Sequence, residues 1–339
     1  MAPALLLLIV AQGVVVPPES GEVHLREVRQ LTFGGQNAEA YFARSGRLLI
    51  FQRQSATERC DQMYVMGTDG GALHRVSSGR GRTTCGYFYD HDRRIFYSST
   101  EHADSACPPR PDYSRGYVWA LYDYAIYSAN ADGSDRRRLT TTPGYSAEGT
   151  LSPDGQTIVF TALRDGDLDI YTMRVDGTGL RRLTTMLGYD GGPFFSPDGG
   201  LIVYRAYHPE TAADSAEYRA LLAQGVVRPT RMDLWVMNAD GSHQHQITHL
   251  GGASFAPAFA PDGRRIIFSS NYRHPTSRSF DLYLVNLDGS GLEQVTASGG
   301  FDAFPMFSPD GRRLVWASNR HGAAPHETNI FIADWVDRP

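Results

Sequence analysis

The chain is poor in cysteine, with three in 339 residues: Cys60, Cys85 and Cys107. Three thiols allow one intrachain disulfide with one thiol over, so a small fold stapled by several bridges is excluded, and the spacing leaves the pairing open. Beyond residue 20 no apolar run approaches the roughly 20 residues that a membrane-spanning helix needs. A basic stripe is also missing. The 32 Lys and Arg are interspersed with 37 Asp and Glu, for a net charge of −5, so no nucleic-acid partner is expected. No Gly-x-Ser-x-Gly nucleophile elbow occurs, because Gly144-Tyr145-Ser146-Ala147-Glu148-Gly149 has the wrong spacing.

The first twenty residues stand apart from the rest. Ala4 to Val16 is apolar except for Gln12 and Gly13, and Pro17-Pro18 follows. This pattern predicts an export signal or uncleaved anchor over 1–20, with Ala11-Gln12-Gly13 as a small-x-small cleavage site, and hence a periplasmic or extracellular protein. An exported chain could carry a disulfide.

What the sequence does have is a repeat. Ser152-Pro153-Asp154-Gly155, Ser196-Pro197-Asp198-Gly199, Ala260-Pro261-Asp262-Gly263 and Ser308-Pro309-Asp310-Gly311 each precede a β-rich run such as Thr157-Ile158-Val159-Phe160. Proline presets φ for a turn and glycine accepts φ > 0, so each is a strand–turn–strand signal. Asp-Gly turns alternate with these at residues 69, 132, 176, 240 and 288. The step from Gly133 to Gly155, Gly177 to Gly199, Gly241 to Gly263 and Gly289 to Gly311 is always 22 residues. Degenerate copies at Gly46 and Asp92 bring the number of repeats to six. Each repeat reads as strands A to D, with the first turn between A and B and the Asp-Gly turn between C and D. The last repeat ends at strand C (Asn329-Ile330-Phe331-Ile332), and Val28-Arg29-Gln30-Leu31-Thr32 can supply its strand D. The reading is therefore all-β: a six-bladed β-propeller with four antiparallel strands per blade, the N-terminal strand closing the last blade, in one domain over 24–339.

The pattern SPDG…IVF…R…IY…DG…LT resembles the repeat of the TolB-like propellers across nearly the whole chain. That resemblance implies a closed six-bladed ring. It is expected to stand alone, without the separate N-terminal domain of TolB and without the α/β-hydrolase domain that similar propellers carry in prolyl-oligopeptidase-type enzymes.

Two repeats are enlarged. The interval between the two turns is 22 to 26 residues in three repeats but 41 from Asp92 to Gly133 and 42 from Gly199 to Gly241. Both insertions, near 100–123 and 206–232, lie between strands B and C and project from the face where every strand A begins. The first holds Tyr113, Tyr117, Trp119 and Tyr122. The second predicts a short helix capped by Thr211, with Tyr218, Leu221 and Leu222 as its buried stripe.

Counting seven back from each A–B turn places Glu39, Cys85, Glu148, Gly192, Ala256 and Phe304 in a ring at one channel mouth. Asp190 and Asp302 stand two residues earlier in their strands, and His102, His208, His274 and His321 lie on B–C loops of the same face. This set, Glu39, Cys85, Glu148, Asp190 and Asp302 with the four histidines, is the candidate ligand site. Carboxylates and imidazoles at one mouth could hold a divalent metal, with Glu39, Glu148, His102 and His208 as ligands. They could equally bind a polar ligand or serve as acid and base. The leading expectation is a monomeric binding scaffold for a protein, peptide or envelope component. The alternative is a metal-dependent propeller enzyme, a polysaccharide lyase or a hydrolase, with its site at the channel mouth.

Overall fold

The computed structural model describes residues 13–114 and 116–337. Within every repeat, strands pair antiparallel in the order A, B, C, D. In the first, Gln36–Phe42 pairs with Leu48–Gln54, which pairs with Gln62–Gly67, which pairs with the two-residue strand His74–Arg75. Strand D is that short throughout the interior repeats because a side chain takes over from the ladder. The Ser or Thr seven residues past each Asp-Gly turn accepts from the backbone N–H of strand C. These bonds are Ser77 to Met63, Thr140 to Ile126, Thr184 to Ile170, Thr248 to Leu234 and Thr296 to Leu282, at 2.8–3.0 Å.

The expectation of six separate blades of four strands each is corrected by the sheet pairing. Four sheets correspond to single repeats. Three of these have four strands; the closing one has five, running Val14–Val15, Leu25–Gln30, Asn329–Trp335, Arg313–Ser318, Asp302–Phe307. Two further repeats merge into one eight-stranded sheet, because Leu168 of Asp167–Arg174 bridges Tyr189 of Tyr189–Phe195 in parallel. A separate two-stranded ribbon joins Trp119–Ala120 to Val226–Val227. The sequence count missed the fifth strand because Val14 and Val15 lie within the apolar leader expected over 1–20, whose first twelve residues lie outside the described residues. The ribbon was missed because its two strands come from different insertions.

The first strands of the repeats stand side by side around a central channel, with Gln36–Phe42 lying against both Asp302–Phe307 and Thr83–Tyr89. The core fills the spaces between neighbouring sheets. One cluster takes Tyr41, Ile50, Met63 and Val65 from the first repeat and Phe88, Ile95, Tyr97 and Ala125 from the second. Burying such side chains stabilises by about 1.5–3 kcal/mol each, and each cluster needs both neighbours, so the ring forms as a unit.

Closure carries its own polar lock. Thr32 accepts from Ile330 N–H at 2.8 Å, the same tie as in the interior repeats, now made across the whole chain. Glu22 and Asp302 both accept from Arg320, at 2.7 and 3.1 Å, with all three side chains almost fully buried. The guanidinium also lies over Trp316 and Phe331. Removing the cation alone would leave two buried carboxylates unpaired, which costs about 3–5 kcal/mol. Arg320→Met is therefore expected to lower unfolding free energy in urea by that amount, while Arg265→Met, at an exposed pair, is expected to cost under about 1 kcal/mol.

Candidate functional site

Every inner strand contains a β-bulge at the same place. The register shifts fall between Ala38 and Tyr41, Thr84 and Tyr87, Ala147 and Thr150, Gly191 and Phe194, Phe255 and Ala258, and Ala303 and Met306. At each bulge one residue has left-handed φ: Glu39 53°, Cys85 53°, Glu148 60°, Gly192 58°, Ala256 50° and Phe304 58°. A non-glycine residue in that region costs about 1–2 kcal/mol, so five of these positions hold strain. The bulge re-aims the side chain. All six residues line one cavity of about 300 Å³ at the channel mouth.

Glu148 and Arg205 form the hub of that cavity. Arg205 donates to Glu148 Oε1 and, at 2.6 Å, to the Tyr189 hydroxyl. Glu148 also accepts from Tyr189 Oη at 3.1 Å, Thr161 Oγ1 at 2.7 Å and Gly192 N–H at 2.9 Å. A Cβ at residue 192 would collide with Arg205 Nη1, so glycine there makes the hole that the guanidinium fills. Arg205 lies over Trp119 and Tyr189 at 5.0 and 5.4 Å. Burial works to lower its pKa, but the Glu148 carboxylate and the hydroxyls of Tyr189 and Tyr145 outweigh it and push the pKa higher, so it is a fixed cation. Glu148 is thus fully engaged, while Arg205 keeps one buried donor, Nε, without a partner among the described residues.

Glu39 differs. Burial pushes its carboxyl up to about 7, only partly opposed by the neighbouring Cys85 thiol, and the Glu148 charge pushes it further in the same direction. Its Oε2 is buried without a hydrogen-bond partner among the described residues. Burial also pushes the Cys85 thiol well up, so it is a neutral donor beside the acid. Cys85 is the free cysteine, and Cys60 pairs with Cys107 across 5.7 Å between Cα atoms.

That disulfide fastens a roof. The first insertion runs from Cys107 over the mouth, and its Tyr113, Tyr117, Trp119 and Tyr122 line the cavity. Trp119–Ala120 then pairs with Val226–Val227 of the second insertion. Behind this ribbon stands helix Ala212–Leu222, capped by Thr211, whose side chain accepts from Asp214 N–H at 3.0 Å. Tyr218 on the helix is buried and donates to Asp167 Oδ1 at 2.6 Å, while Leu221 and Leu222 are half-buried. The roof is thus held at three points: a covalent bond, a strand pair and a buried tyrosine.

A family model described as the TolB beta propeller domain matches residues 120–217 and 222–326, more than half of the chain. The chain belongs to the TolB β-propeller domain family. Among solved structures it is similar to a putative TolB from Agrobacterium tumefaciens, with 19% identity over 90% of this chain and 91% of that one, TM-score 0.57. It is also similar to a gluconolactonase from Xanthomonas campestris, with 14% identity over 96% and 95%, TM-score 0.61. An oligogalacturonate lyase in complex with manganese matches at 13% identity over 96% and 99%, TM-score 0.54. At these identities the likeness is one of fold. No curated protein sequence matches the chain.

Within this TolB-type propeller the expected site residues divide into two groups. Glu39, Cys85 and Glu148 share the cavity. Asp190 and Asp302, two residues before the ring positions, do not line it, because the bulge breaks the alternation that would have put both positions on one face. Asp190 is fully buried against His208 at 2.9 Å, and burial raises its pKa against the opposing pull of that histidine. Asp302 serves the closure lock. His102 lies 3.4 Å from Asp123, and His274 and His321 are exposed on turns. Glu39, Glu148, His102 and His208 are therefore not gathered as one ligand set: Glu148 is committed to Arg205 and His208 to Asp190. Among the described residues no cluster of three or more His, Cys, Asp and Glu is placed to hold a metal ion.

Arg205 and Tyr189 escaped the sequence reading. A signal for Arg205 was present. Six residues past the A–B turn position the repeats show Gln52, Ser98, Thr161, Arg205, Ser269 and Ala317, and the arginine is the charged residue among them.

Two outcomes are expected. A carboxyl with a raised folded-state pKa favours folding fully below its unfolded value, and that contribution is lost as pH rises through the folded value. Wild type should therefore lose stability between about pH 4.5 and 7 relative to Glu39→Gln, with the two equal at pH 4 and the variant ahead by about 1–3 kcal/mol at pH 8. Paired thermal melts across that range check this. Cys107→Ser opens a link across 47 residues of sequence and is expected to lower stability by about 2–4 kcal/mol, with increased proteolysis of the first insertion as the second readout.

Proposed function

We propose that this chain is an exported binding module that receives part of a protein or peptide partner in the roofed mouth of its channel. One observation carries the reading: an aromatic-walled cavity of about 300 Å³ is assembled from strained inner-strand residues and from insertions found in only two repeats. Strain kept at one spot, beneath loops added over a rigid scaffold, is the pattern of a site rather than of a packing solution. Aromatic walls interleaved with placed charged and hydroxyl groups suit a ligand pocket. Export is supported by the apolar leader and by the Cys60–Cys107 disulfide, which persists in oxidising compartments. Among the described residues no helix is long and apolar enough to cross a membrane.

A second reading, a lyase or hydrolase, is favoured by one observation: Glu39 Oε2 is buried in the cavity without a hydrogen-bond partner among the described residues, and burial pushes its carboxyl up to about 7, the range in which an acid or base works at neutral pH. Glu148, the other carboxylate of the cavity, is tied up by Arg205, Tyr189, Thr161 and the Gly192 N–H and supplies no second free acid or base, so binding is the better account.

The test is selection of a displayed random hexapeptide library against wild type and against Trp119→Ala, with melting temperature used to match folding. Peptides retained by the wild type and lost on Trp119→Ala are the expected result. Enrichment that ignores Trp119, or no enrichment at all, would count against the mouth as the binding site.

A further inference from the structure

The charges of the mouth cavity do not balance, and the imbalance sits on one group. Arg205 is matched by Glu148, and Arg82 by Asp61 at 2.7 Å. Glu39 has no cationic partner among the described residues, and its Oε2 is a buried acceptor that nothing satisfies. A buried acceptor left unpaired costs about 1–3 kcal/mol, more when it is charged. A ligand donor that reaches it recovers that cost.

The walls around Glu39 indicate which donor. Tyr41 stands on its own strand, and Phe304 on the adjoining one. Tyr113 and Tyr117 stack in the roof, with ring centroids 5.8 Å apart. Phe255 packs edge-on to Phe304 at 5.6 Å. Rings present their negative faces to a cation, and the attraction grows as water is excluded. An acid without a counter-charge among aromatic rings fits an organic cation, whereas an anion would meet an unneutralised carboxyl.

Resting on the binding reading above, we infer that the mouth cavity takes a primary ammonium or guanidinium group, such as a lysine or arginine side chain of a partner, and pairs it with Glu39 inside the aromatic walls. The titratable and charged groups facing Glu39 are Tyr41 on its own strand, Cys85 on the next inner strand, Glu148 and Arg205 across the channel, and Asp61. Tyr41 and Cys85 stay protonated at neutral pH, because burial drives both well up. Pairing needs Glu39 ionised. A cation that enters therefore displaces its proton, and affinity rises with pH through the range where Glu39 titrates.

The probes are n-hexylammonium and its neutral twin n-hexanol, followed by intrinsic fluorescence of the full-length protein. Trp119→Phe assigns the signal to the cavity. The expected result is saturable binding of n-hexylammonium that strengthens about tenfold from pH 6 to pH 8, as a group titrating near 7 goes from about one-tenth to nine-tenths ionised. Glu39→Gln, nearly isosteric, should abolish both the binding and its pH dependence while melting no lower than wild type at pH 8. If n-hexanol binds as tightly, or Glu39→Gln leaves n-hexylammonium binding intact, the cation assignment is overturned while the cavity survives as a site. If neither probe binds, the assignment is also overturned, and the binding reading then stands or falls with the peptide selection.

Discussion

A left-handed residue at a fixed place in each inner strand is the constraint on which the rest of this architecture depends. A regular strand would alternate its side chains between the two sheet faces. The bulge breaks that alternation once per repeat and turns one side chain toward the channel. Glu39, Cys85, Glu148, Ala256 and Phe304 accept the conformation without the freedom of glycine. Gly192 has that freedom, and what it adds is space for Arg205. The cavity therefore follows from a backbone feature shared by all repeats, and its chemistry follows from which residue each repeat places there.

The charged groups show two ways of managing burial. Arg320 with Glu22 and Asp302, and Arg205 with Glu148, are ion pairs whose partners are within hydrogen-bond reach, so each holds a fixed geometry. The first fixes where the chain begins and ends relative to each other. The second fixes the floor beneath Trp119. Glu39 is handled differently: burial keeps it near neutrality rather than paired, so its charge responds to what enters the cavity. The roof fastened by Cys60–Cys107 and by the ribbon between the insertions lines the same cavity as the acid, whose Oε2 is buried.

Much of this was legible in the sequence. The 22-residue step and the Asp-Gly turns located the strands. Counting back from the turns named the residues that line the mouth, and Thr211 announced the helix. Other features lay beyond that reading for physical reasons. Pairing between distant insertions leaves no periodic trace, so the ribbon of Trp119–Ala120 with Val226–Val227 was invisible. The parallel bridge from Leu168 to Tyr189 joins two sheets that the repeat count kept apart. Asp190 and Asp302 were grouped with the mouth because period-two alternation was assumed straight through the bulge. His208 looked available until its partner Asp190 was seen.

The central claim is that the roofed mouth keeps one carboxyl, with its Oε2 buried, unpaired. Carbon-13 NMR titration of the Glu39 carboxyl in the intact protein tests it most directly. The account predicts a midpoint near 7 that falls toward the ordinary carboxylate value when the roof is loosened by reducing Cys60–Cys107. A midpoint in the ordinary carboxylate range in the oxidised protein, unmoved by reduction, would mean that the mouth is an open, hydrated surface and would contradict the account.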